Sequence, residues 1–218
     1  MRLSLTPAVS PVLRQKTKRY NKRTVSSLTQ VNMDRTDDNI EEKLIQRCRD
    51  GDGVAFEKLI RPYRTRLMSY LVRYCNDRAF AEDLFQEVLL RVWRSLPKYN
   101  HRNRFAAWLF GIAHNILIDA ERRRKVREII TYAEAVPEQR EQNDPVAEVI
   151  AGEMQEVINR VLTTLPENQR RVFLLRQHGE LSFREIAAVL RQPLNTVLGH
   201  MHYAVKKMKK ALEDHEEL

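Results

Sequence analysis

Between Leu181 and Ala211 two helical patterns are broken by a proline: LSFREIAAVLRQPLNTVLGHMHYAVKKMKKA. Ser182 caps the first pattern, and Glu185 three residues on completes a capping box. Phe183, Ile186, Ala187 and Leu190 then fall on one helical face. Arg191-Gln192-Pro193 is the break, because proline disfavours helical geometry in the residue before it. Val197, Met201, Val205, Met208 and Leu212 give the second helix its apolar stripe. Asn195, His202, Lys206, Lys209 and Lys210 lie on its other side. The spacing predicts a helix-turn-helix whose second helix enters the DNA major groove. The same pattern also fits a helical hairpin with a solvated basic face.

The rest of the chain agrees with an all-α fold. It holds only 6 glycines and 8 prolines in 218 residues, and its apolar residues recur at helical spacing. A net charge of +9 and a pI near 9.7 favour a polyanionic partner, nucleic acid before an anionic membrane surface. No apolar run approaches the ~20 residues of a membrane span, so no membrane insertion is expected. The N-terminus lacks the continuous apolar core of a signal peptide, which predicts a cytoplasmic protein. Cys48 and Cys75 sit within apolar helical patterns and read as buried free thiols.

Residues 1–36 read as a disordered basic arm, a loose electrostatic tether or a segment of no specific role. Order begins near Asp37-Asp38, with Ile40, Leu44, Ile45 and Cys48 facing inward and Gly51 as a left-handed terminator. Asp52 starts the next helix, which Pro62 kinks or breaks. Asn76-Asp77 caps a helix that Pro97 ends. A polar loop, Lys98 to Arg104, leads to a fourth helix beginning near Phe105. Residues 37–129 make a first domain and 130–147 a linker without apolar period. Residues 148–218 make a second domain, in which Pro166 takes the first position of a helix that Gly179 closes.

No phosphate-binding loop, nucleophile elbow or His-Glu-x-x-His motif is present. Asp83 and Glu87, one helical turn apart, have the spacing of paired acids. Beside Gln86 and Arg91 they read better as a solvated or partner-binding surface. The scattered histidines form no metal pair, so neither metal nor cofactor is expected and the chain is not read as an enzyme. Tyr99, Trp108 and Phe110 are interleaved with Arg102, Arg104, His114 and the Arg122–Arg124 run. Aromatic platforms in a basic track suit unpaired bases, although such aromatics also serve as plain core.

Three blocks, DLFQEVLLRVWRSLPKY, FAAWLFGIAHNILIDAERRR and LPENQRRVFLLRQHGELSFREIAAVL, resemble an RNA polymerase sigma factor. The resemblance is to the extracytoplasmic-function (ECF) branch, which has only sigma domains two and four, and it runs from about Glu42 to Leu212. It implies an alternative sigma factor that binds core polymerase and directs promoter-specific initiation. Asp83, Gln86, Glu87 and Arg91 would grip the clamp helices of the largest polymerase subunit. The loop holding Tyr99, Asn100, His101, Arg102 and Asn103 would capture a flipped base of the -10 element. Trp108, Asn115, Asp119, Arg122 and Arg123 would lie along that element. Arg184, Asn195, Thr196, Leu198, Gly199, His202, Tyr203 and Lys206 would meet the -35 element. An anti-sigma factor, common in the family, would cover polymerase-binding surfaces.

The chain departs from the family at several points. Family members commonly carry arginine where Gly111 and His114 stand. The usual Gly-Thr-Val-Lys/Arg-Ser-Arg of the recognition helix is here Asn195-Thr196-Val197-Leu198-Gly199-His200. Leu198 takes the place of a DNA-contacting cation, and it can either touch DNA or pack against the core. Rival readings are a transcription activator with a helical effector domain and a helical nucleic-acid-modifying enzyme. The activator would need a ligand pocket or dimer face, the enzyme a metal or carboxylate site.

Overall fold

The computed structural model describes residues 35–100, 104–132 and 152–216. Among these residues every regular element is helical. The elements are α1 (Arg35–Arg49), α2 (Gly53–Ile60), α3 (Arg64–Cys75), α4 (Arg78–Ser95), α5 (Phe105–Tyr132), α6 (Gly152–Thr164), α7 (Glu167–Gln177), α8 (Phe183–Leu190) and α9 (Leu194–Glu216). Residues 1–34 of the arm, the loop His101–Asn103 and the linker between Tyr132 and Gly152 lie outside the described residues. Helix α1 starts at Arg35, ahead of the expected Asp37-Asp38 cap, and Ile40, expected to face inward, is 58% exposed. Leu44–Leu218 forms one compact unit.

Local chemistry sets the boundaries. Asp52 accepts a hydrogen bond from the Ala55 amide at 2.9 Å, and Asp77 from the Phe80 amide at 3.0 Å. Each side chain satisfies an amide that the first helical turn leaves without a partner. Pro62 converts Arg61–Tyr63 to a 3-10 turn, and Pro97 does the same to Leu96–Lys98. Asn76 is not part of the cap of α4: at φ 52° it terminates α3 in the left-handed region. Pro166 precedes α7 as its N-cap and stands one position earlier than expected. At Gly179 close packing requires glycine. A Cβ there would lie 2.5 Å from the Leu175 carbonyl oxygen, while the left-handed residue of this turn is Glu180.

The interior of the first helical region, α1 to α5, is aromatic and aliphatic. Leu67, Tyr70, Leu71, Phe85, Val88, Leu109, Phe110 and Leu117 are buried. Phe56 meets Trp93 edge-on with centroids 5.1 Å apart. The second region, α6 to α9, closes over Leu162, Leu174, Leu175, Ile186, Val197, Ala204 and Met208. Cys48 and Cys75 are buried free thiols, and burial pushes the Cys75 thiol up to about 12.

Candidate polymerase and nucleic-acid interfaces

Helix α4 separates cleanly into two sides. Ala81, Leu84, Phe85, Val88 and Val92 are buried, whereas Glu82, Asp83, Gln86 and Arg91 are exposed. Glu87 is half-buried. Leu90 is 56% exposed. Positions 83, 87, 90 and 94 share one face at steps of four, three and four, so Leu90 stands among Asp83, Glu87 and Arg94. Sequence reasoning missed Leu90 because adjacent Leu89 and Leu90 look alike, and only packing tells which one faces inward.

Behind this face runs a groove of about 570 Å³ between α4 and α5. Glu87, Arg91 and Ser95 line it from α4; Trp108, Ile112, Asn115, Ile116, Asp119, Arg122 and Arg123 line it from α5. The expected polymerase contacts Glu87 and Arg91 and the expected -10 contacts of α5 therefore share one groove. Arg123 Nη2 lies 3.9 Å from Glu87 Oε2 across it. Two carboxylates and three guanidiniums share the groove with an indole and two isoleucines, so it offers both polar partners and apolar surface.

The expectation that Tyr99 and Phe110 are exposed base platforms is overturned. Tyr99 is 5% exposed and Phe110 is fully buried. Tyr99 packs on Trp108 with centroids 4.6 Å apart and meets Phe105 edge-on at 5.8 Å. Its carbonyl oxygen accepts from Arg49 Nη2 at 2.5 Å. Tyr99 is thus a core residue, and the neighbouring Asn100 is exposed. Trp108 is half-buried and turns one side into the groove. His114 is not part of a basic track either. It is 6% exposed, and burial and nearby Arg171 lower its pKa to about 4, so the ring is neutral near pH 7. His101, Arg102 and Asn103 lie outside the described residues.

The helix-turn-helix forms with its capping box in place. Ser182 Oγ accepts from the Glu185 amide at 3.2 Å, and Glu185 Oε2 accepts from the Ser182 amide at 2.6 Å. Arg191, at φ 52°, turns the chain into α9. Val197, Met201, Ala204 and Met208 bury one side of α9, while Val205, expected on that side, is 39% exposed. The period of 3.6 brings Ala204 inward in its place. Asn195, Thr196, His202 and Lys206 are exposed on the opposite side, as is Arg184 on α8. Leu198 is 42% and Tyr203 59% exposed, so Leu198 is not a core residue. Gly199 is half-buried, and a Cβ there would meet open space. The His202 and Tyr203 rings stand edge-on, 5.6 Å apart.

Among the described residues no group of three or more His, Cys, Asp or Glu side chains has the arrangement of a metal site. No described helix is long and apolar enough to cross a membrane.

Comparison with known proteins agrees with this geometry. Sigma-70 region 2 matches residues 59–127, and Sigma-70, region 4 matches residues 155–208. The chain is similar to the RNA polymerase sigma-H factor of Pseudomonas aeruginosa, 26% identical over 181 residues, covering 79% of this chain and 94% of the relative. It is similar to the ECF RNA polymerase sigma factor SigW of Bacillus subtilis, 26% identical over 184 residues, covering 79% and 97%. Among solved structures, RpoE in complex with the anti-sigma factor NepR from Bartonella quintana shares the fold with a TM-score of 0.60 at 19% identity, covering 72% of this chain and 96% of that one. CnrH in complex with the cytosolic domain of CnrY does so with a TM-score of 0.58 at 21% identity, covering 80% and 98%. With both sigma regions present in order, one carrying the charged groove and the other the helix-turn-helix, the chain belongs to the ECF branch of the RNA polymerase sigma factors.

Proposed function

We infer that this protein is an alternative sigma factor that binds core RNA polymerase and directs promoter-specific initiation of transcription. It is not an enzyme; the polymerase makes the RNA. The observation that carries the reading is the paired surface of region 2 and region 4. One charged groove in α4 and α5 and one exposed recognition helix, α9, stand in a single chain.

In this reading Asp83, Gln86, Glu87 and Arg91 contact the clamp helices of the largest polymerase subunit, with Leu90 as an apolar centre. The segment from Asn100 to Asn103 captures a base extruded from the -10 element. Extrusion costs a few kcal/mol, which the new contacts must offset. Trp108, Asn115, Asp119, Arg122 and Arg123 track the adjacent strand. Arg184, Asn195, Thr196, Leu198, Gly199, His202, Tyr203 and Lys206 meet the -35 element, where α9 enters the major groove. The protein works in the cytoplasm, where the polymerase is. An anti-sigma factor is a further partner, and it covers the α4 face that polymerase needs.

The test is reconstitution. Purified chain and core polymerase should co-migrate and give run-off transcripts from a subset of duplex promoters that core alone leaves silent. Binding to DNA without binding to core polymerase would overturn the reading and favour an activator.

A further inference from the structure

The first half of α9, Leu194 to Tyr203, carries no Lys or Arg, whereas Lys206, Lys207, Lys209 and Lys210 crowd the turns beyond it. What the first half exposes instead is apolar. Leu194 is 36% exposed and joins Leu198 and Val205, which are 42% and 39% exposed. Steps of four and seven residues keep these three side chains within about 40° of one another, along one edge of the helix. A single exposed leucine or valine is ordinary surface. Here three are aligned along the helix whose N-terminal part reaches base edges.

Gly199 is the second observation. It lies one turn after Asn195 and one turn before His202 and Tyr203, all three exposed. Glycine inside a helix is destabilising relative to alanine. Nothing in the fold requires it at this position. Its backbone is not left-handed, and a Cβ there would meet nothing within 4 Å. The missing side chain leaves a notch beside the rings of His202 and Tyr203, through which another molecule can approach the backbone closely.

We propose that α9 reads the C5-methyl groups of pyrimidines in the -35 element, with Leu194 and Leu198 as the apolar contacts and Gly199 as the notch that lets the helix come close enough to make them. This deepens the sigma-factor reading above and rests on it. In the major groove thymine presents an oxygen acceptor and a methyl group, and apolar side chains match the methyl. 5-Methylcytosine carries the same group on the same ring carbon. Leu194 and Leu198 are one turn apart, about 6 Å along the axis at 1.5 Å per residue. Bases stack at roughly 3.4 Å per step, so the two leucines span about two steps. The surrounding charge selects duplex DNA over an apolar protein face as the occupant. Arg184 of α8 and Lys206 and Lys210 of α9 are exposed around this edge, and such cations hold the phosphates that flank a groove.

The experiment uses the full chain bound to core polymerase. Duplex promoters are selected from a pool randomised in the -35 element and then resynthesised with deoxyuridine for thymidine in that element. The exchange removes methyl groups and leaves every hydrogen-bonding group in place. Closed-complex binding should weaken about fourfold per contacted methyl, the ratio that burial of one methylene gives, and more than about tenfold for two. With Leu194→Ser and Leu198→Ser together, the thymidine duplex should bind as weakly as the deoxyuridine duplex, while melting stays near the parent's because both positions are exposed. Gly199→Ala should raise the melting temperature and still weaken binding, a split that a purely structural glycine does not give. 5-Methyldeoxycytidine at the cytidines of the element separates the two sources of the methyl. A gain beside the deoxyuridine loss assigns the readout to both pyrimidines, and no gain assigns it to thymine alone. Equal binding of the thymidine and deoxyuridine duplexes, a selected element without A·T pairs, or full methyl dependence in the double serine variant would overturn the proposal. If the holoenzyme selects no duplex and starts no transcript, it is the sigma-factor reading that fails, and the proposal with it.

Discussion

The Tyr70 hydroxyl and His114 Nδ1 lie 3.1 Å apart in the interior, linking α3 to α5 by one buried hydrogen bond. The imidazole is neutral because protonation there would cost solvation and face Arg171. His178, in the turn after α7, is held neutral in the same way, by burial first and then by Arg73 and Arg66. Both pKa values fall from 6.5 to about 4. The unfolded chain therefore binds more protons than the folded one between those values. Stability is fully present above pH 6.5 and is lost progressively as pH falls toward 4. The melting temperature should drop on acidification through this window. His114→Gln, which keeps a hydrogen-bonding partner for Tyr70 without titrating, should flatten that drop. An unchanged slope in the variant would remove His114 from the account.

The α4 surface should serve assembly and not folding. Asp83 is exposed, and the Glu87–Arg123 pair at 3.9 Å is a solvated one of small energetic weight. Changing Asp83 and Glu87 to Ala should shift stability by less than ~0.5 kcal/mol, as exposed substitutions usually do. Core-polymerase binding should weaken at the same time. Leu90→Asp should have a similar signature, since its side chain is 56% exposed. Native-gel titration with core polymerase beside thermal melts gives both readouts. Intact binding in both variants would place the polymerase contact elsewhere.

How much of this was legible beforehand differs by element. The capping box at Ser182 and Glu185, the caps at Asp52 and Asp77, and the breaks at Pro62 and Pro97 are local chemistry, and a linear reading finds them. Inside versus outside was harder where apolar residues are adjacent. Leu89 against Leu90 and Ala204 against Val205 differ by one position and were decided by packing. Tyr99, Phe110 and His114 misled for another reason: an aromatic or histidine next to arginines has the same composition in a basic track and in a core beside one. Nothing in the sequence showed that Gly111 admits Val189, because that contact joins residues 78 positions apart.

The loop after α4 separates two roles that share neighbouring residues. Tyr99 is packed between Phe105 and Trp108, so Tyr99→Ala should destabilise by about 3–5 kcal/mol, as loss of a buried ring does. Replacing Asn100, His101 and Arg102 with Ala should leave unfolding nearly unchanged. It should reduce transcription both from duplex promoters and from a pre-opened bubble bearing the -10 sequence. If the triple variant is defective only in -35 binding, base capture is assigned to the wrong segment.

The recognition helix should read its site with fewer cations than its relatives use. Leu198 is 42% exposed where a Lys or Arg is usual, and leucine can touch a thymine methyl but cannot make arginine's bidentate contact to guanine. Asn195 and His202 remain available for polar readout, and the exposed Lys206, Lys209 and Lys210 can hold phosphates. Phosphate contacts position the helix without specifying bases. Leu198→Arg should therefore strengthen duplex binding and steepen the dependence of log K on log salt by about 0.9 for one added phosphate contact. Because the side chain is already at the surface, melting should be nearly unchanged. Both quantities are measured on the same variant, by salt-titrated fluorescence anisotropy and by thermal unfolding. A variant that melts lower and binds every sequence more weakly would show that Leu198 supports the fold, and the methyl-reading role would be lost.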